Sequence, residues 1–259
     1  MKKMEQLSVI KVGGKIVEEN DSLQALLTDF TALPGRKALV HGGGRSATRI
    51  ATLLGIESKM VDGRRITDAD MLQVVTMVYG GLVNKQIVTA LQQRGVNALG
   101  LTGADMGVVQ SEKRPAGAVD YGFVGDVKKV DGAALAELVG RQIVPVMAPL
   151  SYSPEHGLLN TNADTIAAET AKGLAPYFDV DLVFFFEKKG VLSSPDDDDS
   201  VIAAITPALY ERYKADGVIS GGMIPKIDNA FDALRHGVKR VIITMASELG
   251  KNTGTVITL

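Results

Sequence analysis

Two lysines occupy places where a lysine is hard to accommodate. Lys11 lies near the end of an apolar run, Val9-Ile10-Lys11-Val12-Gly13-Gly14-Lys15. Lys226 follows Ile219-Ser220-Gly221-Gly222-Met223-Ile224-Pro225, in the first turn of an expected helix that turns Ile227, Ala230, Phe231 and Leu234 inward. A charge inside an apolar strand is costly unless something opposite compensates it. A cation in a first helical turn is disfavoured by about 0.3–1 kcal/mol, because the dipole there is positive. A bound phosphate would make sense of both. The neighbouring glycines let backbone N–H groups come close to such an anion.

Two further junctions have the same character. Ala38-Leu39-Val40-His41-Gly42-Gly43-Gly44-Arg45 places three glycines ahead of a helix, where free N–H groups and the dipole converge on anions. Gly42–Ala47 also fits G-x-G-x-x-A, so an NAD-dependent oxidoreductase is an alternative. That fingerprint normally follows a first strand, and its acidic partner here, Asp62, falls in a polar turn. Leu159-Asn160-Thr161-Asn162-Ala163-Asp164 opens a helix burying Ile166, Ala167, Thr170 and Ala171. Asn162 suits an N-cap and Asp164 a first turn, but capping leaves Asn160 unexplained.

The missing residues narrow the chemistry. Histidine occurs only at positions 41, 156 and 236, and the chain has no cysteine. No Ser/His/Asp set or metal-ligand spacing presents itself, and His41 reads as a strand-end residue bonded locally rather than as a base. Phosphoryl transfer to a carboxylate needs no base, since that nucleophile is already ionised at pH 7 with a free pKa near ~4.3. It needs positioning and neutralisation of the transferring charge. Lysines and glycine N–H groups supply both.

The elements that must position these residues alternate along the chain. Expected strands are Ser8–Val12, Lys37–His41, Ala98–Leu101, Gln142–Ala148, Asp181–Glu187 and Arg240–Thr244. Helical spacing intervenes, as at Ile50, Leu53 and Leu54. Near-continuous apolar strands alternating with helices predict an α/β, three-layer αβα sandwich on a mostly parallel open sheet. Thr67–Arg94 reads as a long helical stretch opened by a capping-box-like Thr67-x-x-Asp70 and loosened at Gly80-Gly81. Val108–Val130 alternates like a hairpin outside the main sheet. Asp196–Asp199 reads as a solvated acidic loop, with a cation site as the alternative. At 259 residues and a net charge of −2, the chain has no footprint for nucleic acid. No apolar run reaches the ~18–20 residues of a membrane span, and the start is too polar for a signal peptide, so a cytoplasmic protein is expected.

Lys11-x-Gly-Gly, His41-Gly-Gly-Gly, Gly63-Arg64-Arg65-Ile66-Thr67, Asn160-x-Asn-Ala-Asp164 and Gly221-Gly222-Met223-x-x-Lys226 occur in that order over nearly the whole chain. Together they resemble the amino acid kinase family, in the branch that acts on N-acylated glutamate. The resemblance implies the amino acid kinase fold and transfer from ATP, carried with Mg2+ on its phosphates, to the side-chain carboxylate of N-acetyl-L-glutamate, the second step of arginine biosynthesis. It implies that Lys11 and Lys226 stabilise the transferring group, and that Asp164 holds both lysines. Gly13 and Gly14 would face phosphate; Gly43, Gly44, Arg65 and Asn160 would bind substrate. A first lobe, 1–175, would take N-acyl-glutamate and dimerise, and a second, 176–259, would bind ATP through Glu187, Lys188, Gly190, Leu192, Val218, Ile219 and Ser220. The resemblance further implies small-molecule substrates and an arginine-insensitive homodimer, since the first strand leaves no room for an extra N-terminal helix. The interface candidate is Thr67–Arg94, with Val75, Val78, Leu82, Val83 and Ile87 on more than one face.

Two departures stand out. Phe186-Glu187-Lys188-Lys189-Gly190 replaces the family's aspartate and small or apolar pair in the nucleotide loop, and Ala104–Asp120 differs where the acyl group is covered. A larger anionic acyl group, such as succinyl, therefore stays open. So do acceptors such as aspartate, glutamate, carbamate or UMP, and a catalytically silent ligand-binding protein on the same fold.

Overall fold

The computed structural model describes residues 4–61, 63–186, 188–194, 196–220, 223–249, 251 and 253–259, with Pro225 described in its backbone alone. Eight strands form one sheet, in the order Ala204–Ile205, Thr255–Ile257, Arg240–Met245, Asp179–Phe186, Gln6–Val12, Arg36–His41, Val144–Met147, Ala98–Leu101. The last six are parallel, and the two short strands at the other edge run against them. Parallel pairing requires crossovers that return over a face, and here helices cover both. Leu7 and Val9 pack with Ile166, Ala171, Ile227 and Phe231 on one side. Ile10 and Val12 pack with Phe30, Val74, Val78 and Ile87 on the other. This is the expected three-layer αβα sandwich.

The two-residue period of the strands then assigns the charged and polar residues to faces. Lys11 shares parity with Leu7 and Val9, so it belongs to the face covered by helices Ala163–Leu174 and Met223–Arg235. His41 shares parity with Leu39 and belongs to the opposite face. In register, Lys11 lies between Val40 and Phe184 on the flanking strands, in the middle of the sheet.

The expected hairpin is present: Val109–Lys113 and Gly125–Val130 pair antiparallel in a separate four-stranded sheet with Leu150–Ser153 and Gly157–Asn160. The long helical stretch is also present, with a different start. Its cap is Asp68, whose carboxylate accepts from Met71 N–H at 2.8 Å. Thr67 lies outside the cap, its hydroxyl donating to Arg65 carbonyl at 3.2 Å and accepting from Asn160 at 2.9 Å. The stretch runs as α-helix Ala69–Val75, π-helix Thr76–Val83 and α-helix Asn84–Gln92, so Gly80-Gly81 does mark a loosened turn. An 18-residue window within these 24 residues has a mean hydropathy of 1.2, long and apolar enough to cross a membrane by composition, yet half of that window is buried in the fold.

Two expectations need correction. Leu53 and Leu54 are 72% and 56% exposed; helix Gly44–Leu53 turns Ser46, Ala47 and Ala51 to the sheet, small residues that allow close approach. Val75, Val78, Val83 and Ile87 are core residues filling the second face, which leaves Leu82 of that set exposed. The lobe division expected after residue 175 coincides with the end of a helix, and the next strand, Asp179–Phe186, pairs directly with Gln6–Val12. One sheet spans both halves.

Candidate active site

Strands Gln6–Val12 and Arg36–His41 end side by side, and their glycine loops touch. Gly42 N–H donates to Val12 carbonyl at 2.9 Å. A methyl on Gly42 would lie 3.2 Å from Gly14 nitrogen, and one on Gly14 would be 3.8 Å from both Gly43 and Gly44 nitrogens. The backbone nitrogens of Gly14, Gly43 and Gly44, from two loops, thus gather around one small space. At Gly42 an added side chain would crowd that approach. Gly44 begins helix Gly44–Leu53 and Gly14 begins the short helix Gly14–Glu18, so two positive helix ends face the same point. Ser46 hydroxyl, donating to Glu18 at 3.1 Å, ties the two helices together.

Lys11 reaches this space from the sheet. Its Nζ is 2.7 Å from Asp164 Oδ1, in the first turn of helix Ala163–Leu174. That oxygen is buried and receives no well-aligned hydrogen bond, so the contact is an ion pair at close range rather than a directed bond. Asn162 caps the helix as expected, accepting from Asp164 and Thr165 N–H at 2.7 and 3.3 Å.

Lys226 comes from the first turn of helix Met223–Arg235, with Nζ 4.2 Å from the centre of the Phe186 ring. Burial lowers its pKa below the ordinary lysine range; the charge of Asp164 opposes this and the charge of Lys11 adds to it. All three charges therefore share one field. The expectation that Asp164 grips both lysines is corrected in one respect. Among the described residues Asp164 pairs directly with Lys11, whereas Lys226 feels it at longer range and rests on an aromatic face. The ring gives a half-buried ammonium an attractive surface while leaving its hydrogens free for an incoming anion.

Arg65, only 7% exposed, anchors the second loop. Its Nη2 donates to Gly44 carbonyl at 2.7 Å and Thr48 hydroxyl at 3.0 Å, and its Nη1 to Ser58 hydroxyl. Tyr79, delivered by the π-helical turn, packs its ring where a Gly43 methyl would lie, 3.0 Å from Cδ1. Burial raises the Tyr79 pKa, and the adjacent Arg65 guanidinium partly offsets that. Asn160 is buried, with Nδ2 donating to Thr67 hydroxyl at 2.9 Å. Tyr79, Thr48 and Ser58 were not legible in the sequence, and Thr67 was read there only as a motif and capping residue. The one signal was a tyrosine set in an apolar helical run just before Gly80-Gly81.

The carboxyl end of Asp179–Phe186 places Lys188 and Lys189 beyond Phe186. Lys188 pairs with Asp198 at 2.6 Å and Lys189 with Asp199 at 2.7 Å. The two oddities of this region, a lysine pair and an acidic run, therefore neutralise each other. The acidic run is the exposed, solvated loop expected, and two of its carboxylates pair with these lysines. Gly190 is required by packing, since a methyl there would lie 2.7 Å from Thr255 Oγ1. Leu192 bridges to Val201; Ile219 is buried in the core, Val218 packs against it, and Ser220 is exposed. Glu187, Gly221, Gly222 and Asp62 lie outside the described residues.

The arrangement is two ammonium groups and convergent N–H donors around a cleft at the carboxyl edge of a parallel sheet. It suits a polyanion. Among the described residues no group of three His, Cys, Asp or Glu side chains could hold a metal ion.

Residues 6–245 match the amino acid kinase family. The chain is 66% identical over 253 residues to the acetylglutamate kinase of Bacteroides thetaiotaomicron, covering 98% of each. It is 37% identical over 255 residues to that of Methanopyrus kandleri, covering 97% of this chain and all of the other. A carbamate kinase of Giardia lamblia bound to AMP-PNP shares the fold, with a TM-score of 0.72 at 14% identity and 99% of both chains covered.

Proposed function

The chain belongs to the amino acid kinase family, and from that premise we propose that it transfers the γ-phosphoryl group of ATP to the side-chain carboxylate of N-acetyl-L-glutamate, in arginine biosynthesis. The observation that carries the reading is the Lys11–Asp164–Lys226 field beside the two touching glycine loops. One carboxylate oxygen attacks the γ-phosphorus, the bond to the β–γ bridging oxygen breaks, and ADP leaves. The nucleophile arrives ionised, so no residue need remove a proton. Lys11 and Lys226 neutralise the equatorial oxygens as charge spreads over them, and Asp164 keeps the Lys11 ammonium aimed. The Gly13-Gly14 and Gly43-Gly44 N–H groups receive phosphate and carboxylate oxygens. Arg65 holds the α-carboxylate, and Asn160 the amide region beside it.

Lysines and N–H groups are donors for an anion rather than a cation, and Asp164 beside them is committed to Lys11. Mg2+ would therefore be held by the nucleotide's phosphates and water rather than by these side chains, and would supply neutralisation of the phosphate charge. The adenine nucleotide lies along residues 187–192 and 218–220, in the half from residue 176 onward, and the acyl-glutamate in the half up to residue 175. Two copies associate through the exposed side of the Thr67–Arg94 stretch. Met77 and Leu82 there are 52% and 41% exposed, and Leu99, on the free edge strand, is 38% exposed.

The test is ADP release with N-acetylglutamate, N-succinylglutamate, glutamate and aspartate as separate acceptors. Turnover is expected on N-acetylglutamate, with N-succinylglutamate reporting how much acyl bulk the loop at 104–120 admits. Absence of turnover on both acylated substrates overturns the reading.

A further inference from the structure

His41 does not reach the cleft, yet it is the most completely satisfied ionisable group beside it. The ring is fully buried. Nδ1 lies 2.7 Å from Gly42 carbonyl, which can only accept, so Nδ1 carries the proton. Nε2 is left as an acceptor, and Asn84 Nδ2 donates to it at 3.1 Å while also donating to Val146 carbonyl at 2.9 Å. Asn84 is itself fixed. Its Oδ1 accepts from Lys85 at 3.0 Å and fills the space beside Gly100, where any Cβ would collide with it. Every donor and acceptor of the chain Asn84, His41, Gly42 carbonyl is therefore assigned, and the tautomer with it.

The consequence lies in the next bond. Gly42 carbonyl and Gly43 N–H belong to one planar trans peptide and point in opposite directions. Pinning the carbonyl toward His41, on the Leu39 face of the sheet, aims Gly43 N–H toward Gly14 and the cleft. A peptide flanked by glycines on both sides has little else to prevent it from turning over. We propose that His41, held in its Nδ1–H tautomer by Asn84, is a positioning residue that locks the Gly42–Gly43 peptide with its N–H facing the transferring phosphoryl group. The complete burial that keeps the imidazole neutral, with a pKa lowered to about 4, preserves the donor–acceptor order throughout the neutral pH range.

This rests on the reading of the cleft given above, and two substitutions of similar bulk separate the lock from mere packing. In His41→Asn the amide nitrogen can occupy the place of Nδ1 and keep the bond to Gly42. In His41→Gln the amide reaches the place of Nε2 and leaves the Gly42 carbonyl unheld. The expected result is a kcat at least about tenfold lower in His41→Gln, with KM for ATP within about twofold, and kcat largely restored in His41→Asn. Equal kcat in the two variants, or an unchanged kcat in His41→Gln, overturns the proposal. Imidazole 15N shifts of the unmodified protein at pH 7 provide a test independent of how the variants fold: protonated Nδ1 and unprotonated Nε2 are expected, and the other tautomer or an imidazolium overturns it. Failure of the unmodified protein to turn over N-acetylglutamate would instead sink the substrate reading and leave the 15N result standing.

Discussion

Lys11 and Lys226 are both cations with apolar surroundings, but they are held differently, and their loss should differ in kind. Lys11 is paired with a carboxylate at 2.7 Å, so Lys11→Ala leaves Asp164 negative in the path of the phosphates. Lys226 rests on Phe186, so Lys226→Ala removes a donor without freeing a charge next to it. Each variant should lower kcat by about 10²-fold or more, the scale for losing one charge stabiliser, with Lys11→Ala also raising KM for ATP. Steady-state kinetics checks this; an unchanged kcat removes either residue from the mechanism. His41 carries a pH prediction. Its folded pKa is about 4 against 6.5 for the free group, chiefly through burial, with the bond to Gly42 opposing and the Lys85 charge adding. As pH falls the unfolded chain takes the proton first, so this contribution is whole above pH 6.5 and is lost between 6.5 and about 4. Its slope cannot exceed about 1.4 kcal/mol per pH unit. Urea unfolding across that range should show the loss in the unmodified protein and less of it in His41→Asn.

At the scale of elements, the site depends on how closely neighbouring pieces approach. Helix Gly132–Gly140 meets helix Ala163–Leu174 at two glycines, and a Cβ on Gly132 would collide with Gly173 carbonyl. The second helix presents Asp164 at its start, so its seating sets the Lys11 pair. Gly132→Ala should therefore cost about 1–3 kcal/mol of unfolding free energy, through overpacking against backbone that cannot yield. Chemical denaturation would measure it, with no change expected if the helices can part freely. The paired segments at 188–189 and 198–199 are exposed, and Asp199 and Lys189 shift each other's pKa, the acid down and the base up. On the proposed nucleotide site at Lys188, its carboxylate partner would compete with the ATP phosphates. Asp198→Asn with Asp199→Asn should lower KM for ATP about two- to fivefold at low salt and less at high salt, where surface pairs are screened.

For the whole molecule, the proposed dimer places its contact on the outer surface of the Thr67–Arg94 stretch. The inner side is committed to the core: Val75, Val78, Val83 and Ile87 are at most 2% exposed. The outer side leaves Met77 and Leu82 in solvent next to the free edge of the sheet, and an unpaired edge invites a second copy. Leu82→Asp should shift sedimentation from dimer to monomer, because a carboxylate buried there would have no partner. A protein that already sediments as a monomer would refute the dimer.

Sequence alone determined the layer order, since near-continuous apolar strands separated by helices permit few other solutions, and it located the glycine junctions, both lysines and the Asn162 cap. Those features are local: they follow from the period of a strand, the sign of a helix dipole and the space a glycine leaves. Tertiary structure decided what lies across from what. Pairing Lys188 and Lys189 with Asp198 and Asp199 needed the loop that folds back between them. Placing Leu53 and Leu54 outside needed the helix's rotation against the sheet. Joining Asn84 to His41 needed strands Arg36–His41, Val144–Met147 and Ala98–Leu101 side by side, with Gly100 making room. Period and propensity describe one element at a time, whereas a positioning network is a relation among several, and only the packed chain contains it.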